Sequence, residues 1–229
     1  MPIVHQRSPS LREERALQRA GHRFIAGVDE AGRGAWAGPV VAAAVVLPCD
    51  RRTFSRLRGV NDSKQLTPAQ RLAMRERIER VALAWSIGSA SSAEIDALGI
   101  LAATRLAMMR AVAGLQLAPD ALLIDAVELP ALPLVQRAFD HADAISLSVA
   151  AASILAKTAR DAIMCALDAS VAGYGFAGHK GYGTRAHARA LAQLGPCWAH
   201  RRTFKPVAST SLLTSHSPLP TPNLPTSDF

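Results

Sequence analysis

Two apolar runs of strand character, residues 24–26 and 40–47, enclose the segment VDEAGRGAWAGP. A continuous apolar run such as VVAAAVVL reads as a buried strand. The first run ends on two adjacent acids, Asp29 and Glu30, and then a Gly-Arg-Gly turn. A second apolar run, ALLID at 121–125, also ends on a carboxylate, Asp125. On a regular strand Asp29 and Glu30 point to opposite faces. Both reach one site only if the strand ends or bulges there, which Gly32 and Gly34 allow.

The remaining segments read as strands alternating with helices, so the predicted architecture is an α/β layered domain. Residues 11–20 read as a short charged helix ending at Gly21. Thr67-Pro68 is a helix start, and 83–90 is a strand. Ser91 or Ser92 opens a helical region to about Ala113, broken at Gly99. Residues 144–149 suggest a short strand, 149–168 a long helix and 186–194 another. From Ala208 the chain turns to Ser, Thr and Pro with one charge, Asp228, a composition expected of a disordered tail.

Composition narrows the function classes. The chain has 229 residues and a net charge of +8. Its basic side is uneven: no Asp or Glu occurs between Ala169 and Ser227, where Lys180, Arg185, Arg189, Arg201, Arg202 and Lys205 lie. Such a segment is either an electrostatic footprint for phosphates or a solvated surface of an arginine-rich chain. The three cysteines form no CxxC pair, which points to reduced thiols rather than a zinc or disulfide framework. No run reaches the roughly 18–20 apolar residues of a membrane span, and the N-terminus has no signal-like apolar core. The expected product is a cytoplasmic protein without membrane contact, and nothing suggests other than a monomer.

Three groupings carry chemistry. Clustered carboxylates at neighbouring strand ends raise each other's pKa, and a divalent cation with a preference for oxygen relieves the repulsion. Mg²⁺ or Mn²⁺ in a pair, ~3.5–4 Å apart, suits phosphoryl displacement. A single acid at a strand end is more often a cap or ion pair; two such ends together favour metal. The Gly32-Arg33-Gly34 loop leaves backbone N–H groups for a ligand, although most such triplets are only turns. YGFAGHKGYGTRAH, residues 174–187, interleaves aromatics with cations, a pattern that suits nucleic acid as well as a mobile loop. His179 and His187 lack zinc-site spacing with any cysteine.

Six segments then carry a resemblance: VDEAGRG…AGPVVAAAVVL, NDSKQLTPAQR, LLIDAVELP, HADAISLSVAAASILAKTARDAIM, YGFAGHKGYGT and GPCWAHRRTFKPV. In this order they resemble ribonuclease HII, the bacterial type 2 ribonuclease H, over about 24–207. The resemblance implies a ribonuclease H-like fold, a mixed central sheet flanked by helices with a helical C-terminal part. Residues 1–21 would form an N-terminal extension, 22–207 the catalytic domain and 208–229 the tail. It implies endonucleolytic hydrolysis of RNA in RNA–DNA hybrids, and at single ribonucleotides in duplex DNA. The cuts, with Mn²⁺ or Mg²⁺, leave 3′-hydroxyl and 5′-phosphate ends. It places metal-binding acids at Asp29, Glu30 and Asp125 and a fourth active-site acid at Asp143. Gly32, Arg33 and Gly34 match the loop that reads the ribose 2′-hydroxyl, and Tyr182 the tyrosine that stacks on that sugar. Lys64, Ser153, Lys157, His179 and Lys180 fall in motifs near the substrate. Two positions depart from the pattern. Ala35-Trp36 replaces Pro-Leu, and Ala126 replaces a glycine, which asks for a backbone without positive φ. The rival readings are a duplex-binding module without catalysis and a metal-dependent nuclease or integrase acting on DNA alone.

Overall fold

The structure, a computed structural model, describes residues 8–61, 63 and 66–214. Its centre is a five-stranded mixed sheet in the order β3-β2-β1-β4-β5. β1 (Ile25–Ala31), β2 (Val40–Val46) and β3 (Ala84–Ala90) are antiparallel neighbours; β4 (Ala121–Asp125) and β5 (Val135–Phe139) continue parallel to β1. The helices are α1 (Arg12–Arg19), α2 (Arg51–Arg56), α3 (Pro68–Val81), α4 (Ser92–Leu98) and α5 (Ile100–Ala113). After the sheet come α6 (Leu147–Ser170), α7 (Phe176–His179), α8 (Arg185–Leu194) and α9 (Lys205–Thr214).

β2 is buried along its whole length because each of its faces meets a different helix layer. Val40, Ala42, Ala44 and Val46 pack with Ala103, Ala107, Met108 and Ala111 of α5. Ala43 and Val45 pack with Leu147, Ala150, Ala151 and Ile154 of α6. The small residues of α6 bring it close to β1. A Cβ at Gly27 would lie 2.2 Å from the Ser148 carbonyl carbon, so only glycine admits this approach.

Local signals that the sequence carries are realised. Thr67 and Gln70 form a reciprocal capping box at the start of α3, and Ser91 and Glu94 do the same for α4. Gly99 separates α4 from α5 at φ +79°. The strand expected at 144–149 is absent. Ala142–Ala144 is a 3₁₀ turn, and α6 begins at Leu147, capped by Ser146, whose hydroxyl accepts the Val149 N–H at 3.2 Å. The buried Glu14 carboxylate accepts from the Ser148 N–H at 2.9 Å, so polar capping overrides the short apolar alternation. β5 was not expected; it is an edge strand with half-exposed side chains and only weak alternation.

The chain is also helical beyond the expected start of the tail. Pro206 is tolerated in the first turn of α9, Val207 is fully buried, and the helix carries 208–214. The rest of the expected tail, 215–229, and the first seven residues of the extension lie outside the described residues.

Candidate active site

The carboxylates meet where two parallel strands end. β1 and β4 pair from Ile25↔Ala121 to Val28↔Ile124 and no further. Residues 29–31 remain paired with β2, in unbroken register through Ala31↔Val41, while their other edge is open. Thus the strand ends one residue beyond Glu30 without a bulge. Carboxyl ends of parallel neighbours are where open α/β sheets offer crevices. Here a cleft of about 450 Å³ is lined by Asp29, Glu30, Asp125, the Gly32–Gly34 loop, Ser153 and Tyr182, with Ser63 and Lys157 beside them.

The acids are poorly solvated and close enough to repel. Burial pushes the Asp29 carboxyl well above the usual carboxylate range, and the charges of Glu30 and Asp125 push it further; Ser153 partly opposes this. Burial likewise raises Glu30, against the pull of the Arg33 guanidinium 3.1 Å away. One Glu30 oxygen, Oε2, is buried without a hydrogen-bond partner among the described residues. Asp125 accepts the Ala142 N–H at 2.8 Å, and the next residue, Asp143, is buried in the 3₁₀ turn. Asp143 does not line the cleft itself. Among the described residues no three His, Cys, Asp or Glu side chains form a ready cage for a metal ion. The donor set nevertheless fits a hard divalent cation: all oxygen, mutually repelling, with one orphaned carboxylate oxygen facing no protein donor.

The walls are set by two fully buried arginines. Arg201 donates from Nη2 to the Gly32 carbonyl and from Nη1 to the Arg33 carbonyl, both at 2.7 Å, and from Nε to Gly38 at 3.0 Å. Arg160 donates to the carbonyls of Pro39, Ala37 and Lys180 at 2.9, 3.2 and 2.9 Å. Its guanidinium carbon lies 5.2 Å from the Tyr182 ring centre. Gly32, at φ +95°, is obligatory, since a Cβ there would fall 1.9 Å from Arg160 Nε. Burial lowers both guanidinium pKa values, that of Arg201 to about 9, which leaves it charged at neutral pH. Arg201 therefore does not belong to the phosphate-facing footprint in which the composition places it. Arg185, Arg189, Arg202 and Lys205 of that segment are exposed.

The substrate-side residues separate into two groups. Ser153 and Lys157, one turn apart on α6, and Tyr182 line the cleft; Lys157 Nζ is 5.7 Å from the Tyr182 ring centre and pairs with Asp161 at 2.7 Å. His179 and Lys180 do not line it. His179 braces its own loop, with Nε2 2.8 Å from the Tyr174 carbonyl and Nδ1 accepting the Gly181 N–H at 3.2 Å. The Lys180 amine points to Cys165 Sγ at 3.0 Å. Lys64 lies outside the described residues. Arg160 could have been noticed in the sequence, because it stands two turns beyond Ser153 on an apolar helix. Arg201 carries no such local signal.

A histidine chain holds Tyr182 from behind. The His187 Nδ1 faces the Tyr182 carbonyl at 3.0 Å and must carry the proton. Its Nε2 then accepts from His200 Nε2 at 3.0 Å, and His200 Nδ1 accepts the Cys197 N–H at 3.1 Å. Both rings are buried and neutral; burial lowers the His187 pKa and takes that of His200 to about 4.

Ala126 departs from the sequence expectation: its φ is +57°, the left-handed region. β4 ends at Asp125, and the turn that brings the Val127 N–H to the Asp125 carbonyl at 2.7 Å requires it. The Trp36 ring packs against Gly183 and His187, whose ring centre is 5.3 Å away, and the Trp36 backbone N–H donates to the Gly181 carbonyl at 2.8 Å.

A family model described as Ribonuclease HII matches residues 26–207. The chain is 55% identical over 202 residues to the ribonuclease HII of Roseiflexus castenholzii, covering 87% of this chain and 89% of that protein. It is 54% identical over 210 residues to that of Chloroflexus aurantiacus, covering 91% and 99%. Among solved structures, the ribonuclease H2 of Pyrococcus horikoshii superposes with a TM-score of 0.71 at 27% identity, over 85% of this chain and 100% of that one. With its motifs, its mixed sheet and the extent of these matches in agreement, the chain belongs to the ribonuclease HII family.

Proposed function

We propose that the protein cuts the RNA strand of RNA–DNA hybrids, and at single ribonucleotides embedded in duplex DNA. The observation that carries this reading is the joining, in one cleft, of buried repelling carboxylates with the Gly-Arg-Gly loop and Tyr182. Asp29, Glu30 and Asp125 would hold divalent cations, Mn²⁺ or Mg²⁺, with Asp143, buried in the turn whose Ala142 N–H bonds Asp125, as the fourth active-site acid. Bound there, such ions would supply an activated water and positive charge for the leaving 3′ oxygen, in keeping with 3′-hydroxyl and 5′-phosphate ends. The chain's own residues bind and orient. Arg33 and Gly34 offer backbone N–H groups to the ribose 2′-hydroxyl, the one group that separates RNA from DNA. Tyr182 offers a ring face to the sugar, and Lys157 a cation for a phosphate. The exposed Arg185, Arg189 and Arg202 supply charge for the duplex backbone. A DNA-only nuclease or a silent binder has no use for the loop and the acids together.

The test is a labelled DNA duplex with one ribonucleotide, incubated in Mn²⁺, Mg²⁺ or EDTA beside an all-DNA duplex. One cut at the ribonucleotide, only with metal, is expected. A cut in the all-DNA duplex, or none in either metal, would overturn the reading.

A further inference from the structure

We propose that Arg201 is a positioning residue for ribonucleotide recognition, because its guanidinium fixes the direction in which the Gly32–Gly34 loop presents its N–H groups. The inference rests on the reading that this loop meets the ribose. Nη2 and Nη1 of Arg201 hold the carbonyls of Gly32 and Arg33 at 2.7 Å, two successive peptides on one planar fork. No peptide here is cis, and in a trans peptide the N–H points opposite to the C=O. The N–H groups of Arg33 and Gly34 are thereby turned away from the buried guanidinium, in a loop whose three residues all line the cleft.

The expense of this arrangement argues for a fixed task. Arg201 is fully buried with no carboxylate within ion-pair distance among the described residues, and the like charge of Arg160 lies close. A buried cation without a paired counterion is costly, and here it is offset by three carbonyl dipoles, by the face of the Phe204 ring 5.1 Å from its guanidinium carbon and by the more distant charge of Asp96. Packing by itself would be served by an apolar side chain of the same volume. Arg160 extends the same device. It holds Ala37, Pro39 and Lys180 while filling the space beneath Gly32, so the loop and the Tyr182 segment share one brace. Lysine cannot replace the fork, since a point charge does not bond two carbonyls in one plane.

The experiment measures binding in EDTA, where no cut occurs, using the full chain. Two duplexes of one sequence are compared, one all-DNA and one with a single ribonucleotide. The unmodified protein is expected to prefer the ribonucleotide duplex. Arg201→Lys is expected to lower that preference about tenfold or more, as loss of two oriented N–H donors implies, while all-DNA affinity holds. Arg201→Ala is tested with and without millimolar ethylguanidinium, which should restore the preference by refilling the site. Preference retained in Arg201→Lys overturns the inference. An equal loss for both duplexes, unrelieved by ethylguanidinium, shows a merely structural role and also overturns it. No preference in the unmodified protein would instead sink the proposed role of the loop, and this inference with it.

Discussion

Gly183 lies so close to the indole of Trp36 that a methyl group on its Cα would sit 2.2 Å from Cζ2. The backbone of Gly183 is not in the left-handed region, so the restriction is purely one of contact. Gly183→Ala should therefore lower both melting temperature and cleavage by displacing the loop that carries Tyr182. Trp36→Leu in the same chain should recover most of the loss, because a smaller side chain leaves room. Melting and turnover of the two single variants and the double variant form the cycle that checks it. Additive losses would show that the two positions do not communicate.

Asp29→Asn removes the most deeply buried charge of the cleft. Turnover should fall below detection while duplex binding survives, because the exposed cations supply binding. The variant should also unfold at a higher temperature than the unmodified protein in EDTA, since a repelling buried charge is gone. Mn²⁺ should raise the melting temperature of the unmodified protein and not that of Asp29→Asn.

Ala126 sits at φ +57°, a conformation that costs an L-residue roughly 1–2 kcal/mol. Glycine is free of this strain but loses about 0.4–1 kcal/mol through its more flexible unfolded chain. Ala126→Gly should thus stabilise the protein by about 0.5–1 kcal/mol, a few degrees in thermal melting. A lower melting temperature would contradict the strain argument.

The neutral His187–His200 chain gives stability a defined dependence on pH. The folded-state pKa of His200 is lowered to about 4 from the usual 6.5, so between these values the unfolded chain binds the proton more readily. The stability is complete above about pH 6.5 and is lost as pH falls toward 4. His200→Gln should be less stable at pH 7.5, and its melting temperature should fall less between pH 6.5 and 4.5. A loss of about 1 kcal/mol corresponds to roughly 2–4 °C at this size.

Binding of all-DNA duplex should weaken steeply with salt, because each neutralised phosphate releases a counterion. Replacing Arg185, Arg189 and Arg202 with alanine should reduce the slope of log affinity against log salt by up to about three. Arg201, being buried, should contribute nothing to that slope. An unchanged slope in the triple variant would move the phosphate contacts elsewhere.

The sequence by itself determined what depends on neighbours along the chain. Thr67 with Gln70, Ser91 with Glu94, the break at Gly99 and the continuous apolar run of β2 are local signals, and they reappear in the fold. So do the acids near the carboxyl ends of two strands: Asp125 closes β4, and Asp29 and Glu30 stand just before the end of β1 at Ala31. Tertiary structure decided what depends on distant partners. It set β4 parallel to β1, which brought Asp125 beside Asp29 and left residues 29–31 with an open edge. It turned 144–149 from an apparent strand into a capped helix start, because Glu14 and Ser146 supplied hydrogen bonds that alternation cannot reveal. It moved Arg201 from a presumed phosphate contact to the support of a loop 168 residues away in sequence. His179 and Lys180 share a motif with Tyr182, yet only the tyrosine reaches the cleft, since the left-handed turn at Lys180 sends neighbouring side chains in different directions. A motif names residue types; which side of a loop each one faces is a matter of packing.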